Sequence, residues 1–372
     1  MEFLKMELYR KNILFILVFT LCAFISVPAF VWIVDPFHIY HRDTWLNRDK
    51  YYSSAESFNN FIQLKYLNTC DMFDAVLIGN SRTCAFDSID LKKALPKCKG
   101  CIKLTINGCV TSEHTRSLQK AIKSKKIKNV VFMDPPDIIP QSQNRIVLPS
   151  LRNSLFRRGS MFVACLHVID LFNCFPHDKL GLVQLNKVHS YLPENTKEFG
   201  KISLKLHLKK RVFTIDDTVP TDIPDNQLLF IIRKYSNITF HLLFPLYSNI
   251  FFDTPTLDWK SMSFFVKNTK DLSNVKIYDF HDVPHFYISR NWTDICHFSP
   301  VFNKFMTYCI EHNLHRVTAK NYDAYKQHVL DVLKSFNPSD YPERPTTFEE
   351  LVAYEESLHP ELKEQKVSVE EP

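Results

Sequence analysis

Ser81 is the residue whose type and position first suggest chemistry in this chain of 372 residues. It lies in the segment VLIGNSRTC, where an apolar run ends at Gly79 and a polar stretch begins. A serine at the turn between a strand and a helix exposes its hydroxyl group, and the start of the helix favours developing negative charge. Ser81 is therefore a candidate nucleophile, although a helix N-cap is the commoner use of a serine at such a turn.

A second group of polar residues lies far along the chain, in NWTDICHFSPVFNKF. Asp294 and His297 are three residues apart and precede Ser299 and Pro300, which are typical of a helix N-cap and a first helical residue. An imidazole can take the serine proton as general base, while a carboxylate orients the imidazole and stabilises its charged form. We therefore expect Ser81, Asp294 and His297 to form a catalytic triad.

The segments around these residues have the rhythm of an α/β fold. Apolar runs predict buried strands at 74–79, 101–106, 129–134, 238–244 and 275–280. Helices are predicted at 55–67, at 112–123 after a cap at Thr111, at 300–312 and at 319–336. Alternating strands and helices imply a three-layer, doubly wound parallel sheet with helices on both faces. Ligands bind at the carboxyl ends of such strands, so this sheet would bring the distant polar residues to one edge.

The segment DAVLIGNSR, followed near the C-terminus by DxxH, is similar to the first and last sequence blocks of the SGNH/GDSL hydrolases. The chain looks closest to their membrane-anchored bacterial branch, which includes D-alanyl-lipoteichoic acid biosynthesis proteins and alginate or peptidoglycan O-acetylation proteins. The resemblance implies a flavodoxin-like sheet with Ser81 as nucleophile, Asp294 as orienting acid and His297 as base. Asn80 and Arg82 flank the nucleophile, and we expect them to contact the substrate.

The resemblance also implies an oxyanion hole. Family members use a glycine after the second strand, which here is Gly108 in TINGCVTSE, and the backbone N–H of Ser81 would be a further donor. The third family block, GxND, supplies an asparagine, whereas this chain has MDPPDI at 133–138. Either Asn107, Asn80 or a backbone group substitutes, or the oxyanion is less stabilised. The loss of one donor costs about a hundredfold or more in rate.

Other residues offer weaker alternatives for the same chemistry. Cysteine nucleophiles at Cys84 or Cys296 and general bases at His167, His281 or His285 remain open. Asp134 and Asp137 lie in a proline-rich loop without the further ligands that Mg²⁺ or Ca²⁺ needs, and the CxxC of Cys98 and Cys101 lacks a second ligand pair for zinc. We expect no metal and no cofactor, and either a local disulfide or two free thiols in the CxxC segment.

An uncharged run of 22 residues at 13–34 is long enough to span a bilayer. A cleavable signal peptide is the alternative, because Val27-Pro28-Ala29 loosely resembles a cleavage site, but the apolar run continues past it. We expect a short segment at 1–12, a single-pass anchor at 13–34 and an α/β domain at 35–336. The resemblance implies that the domain is extracytoplasmic, whereas the positively charged residues on the two sides of the run are equal in number and leave a cytoplasmic orientation open.

Charge is unevenly distributed along the chain. The net charge is +6, yet 338–372 contains ten acidic residues against three basic ones, so the body before it is strongly basic. The tail, 337–372, is expected to be mobile or only partly helical. An insertion at about 138–223 lacks the α/β rhythm, and its stretch 151–175 reads as a buried helix or as an amphipathic helix on a bilayer. No Lys/Arg block or basic–aromatic repeat indicates a nucleic-acid surface.

These features predict a membrane-anchored O-acyltransferase or acyl esterase that acts on a cell-surface glycan or polymer through an acyl-serine intermediate at Ser81. In the resembling branch a multi-pass membrane-bound O-acyltransferase commonly supplies the acyl group, which implies a membrane partner. The alternative is a non-catalytic SGNH-like module that binds a polysaccharide or assembles a membrane complex, and the missing third-block asparagine favours it. A cytoplasmically oriented esterase is a third reading.

Overall fold

The computed structural model describes residues 2–34, 51–53, 73–83, 86–105, 111–124, 126–135, 182–184, 214–219, 226–246, 256–292 and 297–362. The strands are β1 (Tyr51–Ser53), β2 (Ala75–Gly79), β3 (Cys101–Thr105), β4 (Asn129–Met133), β5 (Leu182–Gln184), β6 (Thr214–Asp216), β7 (Thr239–Phe244), β8 (Thr256–Asp258), β9 (Val275–Asp279) and β10 (Arg316–Val317). The helices are α1 (Glu2–Val34), α2 (Ser88–Ala94), α3 (Thr111–Lys123), α4 (Gln227–Lys234), α5 (Lys260–Asn268), α6 (Pro300–His312), α7 (Tyr322–Ser335) and α8 (Phe348–Leu358). Short 3₁₀ helices cover Ser81–Thr83, Pro284–Tyr287, Ser289–Asn291 and Pro338–Asp340.

The chain divides into two compact units, of which the first comprises 1–70 and 146–186. This unit contains α1 and the antiparallel pair of β1 and β5. The predicted anchor at 13–34 lies inside α1, a helix of 33 residues whose described apolar side chains, such as Phe15 and Leu17, are exposed. Among the described residues, no helix was found that is long and apolar enough to cross a membrane. The anchor therefore stays a prediction.

The second unit, 71–145 and 187–372, contains a sheet of six strands in the order β10, β9, β7, β4, β2, β3. Its first five strands along the chain run parallel, and β10 pairs antiparallel with β9. The prediction of an α/β fold with a mostly parallel sheet flanked by helices is therefore confirmed. All five predicted strands form within one residue of their expected bounds, whereas the edge strand β10 and the small parallel pair of β6 and β8 were not predicted.

The strands of the sheet are buried and rich in apolar residues, and β2 is continuously apolar. Val76, Leu77 and Ile78 in β2 are each 0% exposed, which is the pattern of a strand covered on both faces. On one side β2 pairs with β3, and on the other it pairs with β4. The strand order therefore reverses at β2, and such a topological switch point is where open α/β sheets bind ligands beyond the carboxyl ends of their strands.

The helix after the predicted DxxH segment begins as expected. The Ser299 side chain accepts a hydrogen bond from the backbone N–H of Val301, and Pro300 is the first residue of α6. Within the acidic tail, α8 begins with a capping box in which Thr347 and Glu350 bond each other's backbone N–H groups. The tail is thus partly helical. The predicted helices at 55–67 and 151–175 lie outside the described residues.

His315 fastens α8 to the loop that follows β9. Its Nδ1 lies 2.8 Å from Asp282 Oδ1, and its Nε2 lies 2.9 Å from Glu355 Oε1 of α8. Burial alone would lower the pKa of His315, but the charge and hydrogen bond of Asp282 hold that pKa well above its usual value. A ring that donates from both nitrogens is an imidazolium, so a buried cation bridges the two buried carboxylates.

His241 lies in the middle of β7 and is 1% exposed. Neither of its ring nitrogens has a hydrogen-bond partner in the described part of the chain, and the ring stacks 6.0 Å from Tyr278. Burial, and then the charges of Lys276 and Arg316, lower the pKa of His241 to about 3. The side chain is consequently neutral in the folded protein.

Replacing His241 by Leu is expected to make the protein less sensitive to acid. The unfolded chain takes up a proton at this histidine near pH 6.5, whereas the folded protein resists protonation down to about pH 3. The stability that the neutral ring confers is present above the unfolded pKa and is lost as the pH falls, by about 1.4 kcal/mol for each pH unit. Urea unfolding of both proteins between about pH 7 and pH 4.5 measures this, with the exposed His359→Leu as the control. Parallel pH profiles for wild type and His241→Leu would contradict the prediction.

Candidate functional site

Ser81 begins a 3₁₀ helix directly after β2, at the switch point of the sheet. The predicted strand-to-helix turn is therefore present in the backbone, while the side chain of Ser81 lies outside the described part. The turn is closed on Asn80, whose carbonyl oxygen accepts from the backbone N–H of Thr83 at 3.0 Å and from its hydroxyl at 2.7 Å. These bonds fix the backbone on both sides of Ser81.

Gly79 allows this turn to fold back against the sheet. A Cβ at position 79 would overlap the Cγ2 of Thr83 and would lie 3.2 Å from the Cβ of Met133 in β4. Any side chain here would therefore force the turn away from its neighbouring strand. The glycine before Asn80 and Ser81 is explained by this close approach.

Asp134 follows β4 and holds both residues that flank Ser81. Its carboxylate accepts from Asn80 Nδ2 at 2.8 Å and from Arg82 Nη1 at 3.1 and 3.3 Å. The Arg82 and Asp134 side chains are only 3% and 7% exposed, so this is a buried ion pair. Asp134 has a φ of 54°, in the left-handed region, and these hydrogen bonds help to hold it there.

Arg82 also connects the turn to two more distant elements. Its Nη2 donates to the carbonyl oxygen of Leu246, which follows β7, and its guanidinium carbon lies 4.9 Å from the centre of the Phe298 ring. The backbone carbonyl of Arg82 accepts from Asn303 Nδ2 of α6 at 3.0 Å. One buried guanidinium thus contacts the ends of β4 and β7 and the segment that leads into α6.

The segment of His297 is therefore brought to the Ser81 turn, because Phe298 is the next residue. His297 is half-buried, and the segment is held by a bridge between Phe298 and Trp292 and by a 2.8 Å hydrogen bond from Ser299 N to Asn291 O. The remaining predicted site residues lie outside the described part of the chain; they are Asp294, Asn107 and Gly108. The geometry of the triad and of the oxyanion hole stays a prediction.

The described contacts give Asn80 and Arg82 an internal role, since both side chains bond Asp134. Asp134 lies in MDPPDI, the segment that lacks the third-block asparagine expected from the resemblance. A carboxylate accepts hydrogen bonds and cannot donate one to an oxyanion, and Nδ2 of Asn80, one of the expected substitute donors, bonds Asp134 instead. Arg82 pairs with the Asp134 carboxylate. The negative charge of Asp134 therefore opposes a nearby oxyanion less than the charge of an unpaired carboxylate would.

Among the alternative bases and nucleophiles, the structure describes the surroundings of His285 and of the two thiols in the CxxC segment. His285 packs edge-on against Tyr341 and Tyr354, at 5.1 and 5.3 Å between ring centres. Cys98 and Cys101 are free thiols, as one of the two predictions had it, and burial raises the pKa of Cys98 to about 12. A thiol with so high a pKa is a poor nucleophile at neutral pH. Cys84, Cys296 and His167 lie outside the described residues.

The sequence predicts His281 only as a lone alternative base. The structure shows that it has a carboxylate partner, Asp279. Asp279 is the last residue of β9, and its Oδ1 lies 2.6 Å from His281 Nδ1. The signal was available in the segment DFHD, where an Asp and a His are two residues apart at a predicted strand end. Two residues of separation across a turn suffice for a direct contact.

Comparison of the chain with models of protein families, with curated proteins and with solved structures found no match. The likeness to the SGNH/GDSL hydrolases therefore rests on the sequence blocks around Ser81 and His297.

Breaking the Arg82–Asp134 pair is expected to destabilise the α/β unit strongly. Asp134→Asn or Arg82→Met leaves one buried charge without its partner, which typically costs about 3–5 kcal/mol. The double variant should lose less than the sum of the two single losses, because it leaves no unpaired charge. Urea unfolding of the four proteins measures this coupling.

The exposed pair of Lys334 and Asp331, at 3.9 Å, provides the control. Lys334→Met should change the free energy of unfolding very little, because exposed pairs are screened by water. If the losses of unfolding free energy at Arg82 and Asp134 simply add, the pair does not couple the ends of β2 and β4.

Proposed function

We propose that the protein is a serine-dependent O-acyltransferase or acyl esterase of the SGNH type, with Ser81 as nucleophile. The observation that carries the proposal is the meeting of two distant segments. The Ser81 turn lies at the switch point of the sheet, and the segment of His297 packs against that turn through Arg82 and Phe298. Ligands bind at this edge in open α/β sheets, and a serine and a histidine are the types that acyl transfer needs.

In the proposed mechanism His297 takes the proton from the Ser81 hydroxyl, and the oxygen attacks the carbonyl carbon of an acyl donor. Asp294 orients the imidazole and stabilises its charged form. The backbone N–H groups of Ser81 and Gly108 stabilise the oxyanion, which collapses to an acyl-serine as the donor alcohol leaves with the proton. A hydroxyl group of the acceptor, or water, then repeats these steps and removes the acyl group.

The Arg82–Asp134 pair supports this proposal and limits it. It holds Asn80 and the turn rigidly, which keeps a nucleophile in place without further reorganisation. It also removes a side-chain donor from the oxyanion hole, which favours slow turnover. The resemblance adds a cell-surface glycan or polymer as acceptor and a membrane-bound O-acyltransferase as partner, and both belong to the same proposal.

A non-catalytic binding module is the second candidate, and the absence of the third-block asparagine from the segment 133–138 is the observation that favours it. The same edge of the sheet would then hold a polysaccharide without turnover. Ser81→Ala separates the two candidates, because an enzyme loses its cellular role with the hydroxyl and a binding module keeps it.

Labelling by a fluorophosphonate probe is expected to depend on both Ser81 and His297. Ser81→Ala should abolish labelling of the detergent-solubilised protein, and His297→Gln should slow it by about a hundredfold or more, because the general base is lost. Ser335→Ala is the matched control, since Ser335 is an exposed serine at the end of α7 that bonds only the preceding turn of its helix. Undiminished labelling of the Ser81→Ala protein would refute the serine mechanism.

We also propose that the run 13–34 anchors the protein in a membrane, with the α/β unit on the extracytoplasmic side. The run is uncharged, is helical throughout and exposes apolar side chains such as Phe15 and Phe19. Ile25→Lys should then release the protein from membranes washed with alkaline carbonate, because a charge near a span's centre costs about 3 kcal/mol. Tyr9→Lys, outside the run, is the control. Release of the wild-type protein by the same wash would refute the anchor.

A further inference from the structure

The pair of Asp279 and His281 lies at the carboxyl end of β9, on the same edge of the sheet as Ser81 but in a separate place. The imidazole Nδ1 is 2.6 Å from Asp279 Oδ1, and the backbone N–H of His281 donates to Asp279 Oδ2 at 3.1 Å. The carboxylate thus holds both the ring and the backbone of the histidine. This is how a carboxylate fixes the orientation and the tautomer of a general base.

Asp279 is itself firmly held. It is 0% exposed, and its carboxylate accepts a third hydrogen bond, at Oδ2 from the hydroxyl group of Tyr325 at 2.9 Å. Burial, and then the negative charges of Asp279 and Asp282, hold the pKa of Tyr325 well above its ordinary value, so this residue is a neutral donor. No Lys or Arg contacts the carboxylate in the described part of the chain, which leaves its charge to act on the imidazole.

Nε2 of His281 is the free end of the pair. Its side chain is 8% exposed, and the described contacts leave Nε2 unoccupied without sealing it from solvent. His241, by contrast, is enclosed, and His315 has both nitrogens bonded. The ring of His281 is further fixed by Trp259, whose ring packs edge-on at 5.5 Å between centres.

The pair is too far from Ser81 to act as its base. From β2 the sheet continues through β4 and β7 to β9, and three strand spacings amount to about 14 Å. A hydrogen bond needs about 3 Å between the two heavy atoms. No hydroxyl group of the described residues bonds Nε2 either, so we assign its proton donor to a bound molecule or to water.

We propose that Asp279 and His281 form a second acid–base centre, which hydrolyses uncharged carboxylic esters independently of Ser81. Nε2 takes a proton from water as the water oxygen attacks the ester carbonyl, and the electron pair of the carbonyl moves to its oxygen. When the carbonyl re-forms, the bond to the alcohol breaks, and the alcohol leaves with the proton from Nε2. Asp279 stabilises the imidazolium that exists between these two steps.

The surroundings of the pair favour a neutral substrate. Asp279 brings a buried negative charge without a contacting Lys or Arg, so an anionic ester would be repelled. The neighbouring rings of Trp259 and Tyr325 stack at 6.0 Å and make this part of the edge aromatic. Short, uncharged acetyl and butyryl esters fit these conditions.

The test uses full-length protein carrying Ser81→Ala, so that acyl transfer at the proposed serine cannot contribute. With p-nitrophenyl acetate and p-nitrophenyl butyrate, this protein should show saturable turnover. Adding His281→Gln should reduce kcat/KM by about a hundredfold or more, and adding Asp279→Asn should reduce it by a similar factor because the ring loses its orientation. Adding His359→Gln is the matched control, since His359 and Glu361 form an exposed histidine–carboxylate pair at 3.3 Å.

Equal rates with His281→Gln and His359→Gln would overturn the proposal, as would a rate that rises linearly with ester concentration like that of free imidazole. Failure of the Ser81 proposal would leave these results unchanged, because Ser81 is already absent. Chemical modification tests the same role without substituting Asp279 or His281, so it gives a result even if those variants fold poorly. Diethyl pyrocarbonate should abolish turnover in step with modification of His281, followed by peptide mass, whereas turnover that survives complete modification of His281 would refute the role of Nε2.

Discussion

The buried ion pair between Arg82 and Asp134 is the interaction on which the arrangement of the sheet's carboxyl edge depends. The side chain of Arg82 starts beside Ser81, crosses the end of β4 and ends at the carbonyl group of Leu246. Phe298 covers its face, and α6 bonds its backbone. An arginine can make all these contacts at once because its guanidinium is planar and carries several donors, whereas a lysine presents a single charged point.

Three histidines of the same sheet region show how carboxylate partners decide the behaviour of an imidazole. His241 has none and is held neutral by burial. His281 has one, which leaves Nε2 without a hydrogen bond from the described residues, and His315 has two, which hold it as a cation. His241 packs inside the sheet and His315 attaches α8. Of the three, only His281 is therefore suited to exchange a proton with a ligand.

Much of the fold could be predicted from the sequence, because five strands are short, mainly apolar runs that are followed by turn-forming or polar residues. The two-residue strand β10 could not, since Arg316 and Val317 carry no periodicity, and its pairing with β9 comes from the chain around it. For the site, the turn at Ser81 and the start of α6 were predictable from local signals. The bond between Arg82 and Asp134 was not, because it joins residues 52 positions apart, and the sequence suggested a substrate contact for Arg82 and no partner for Asp134.

The attachment of α8 has a consequence for the order of events during synthesis. Glu355 neutralises one side of a buried imidazolium that sits behind the carboxyl edge of the sheet, and it is made about 280 residues after the first strand of that sheet. A ribosome releases the chain from its N-terminus, so β2, β3 and β4 emerge long before this partner. The buried imidazolium of His315 can therefore gain its second carboxylate only after every strand of the sheet has been synthesised.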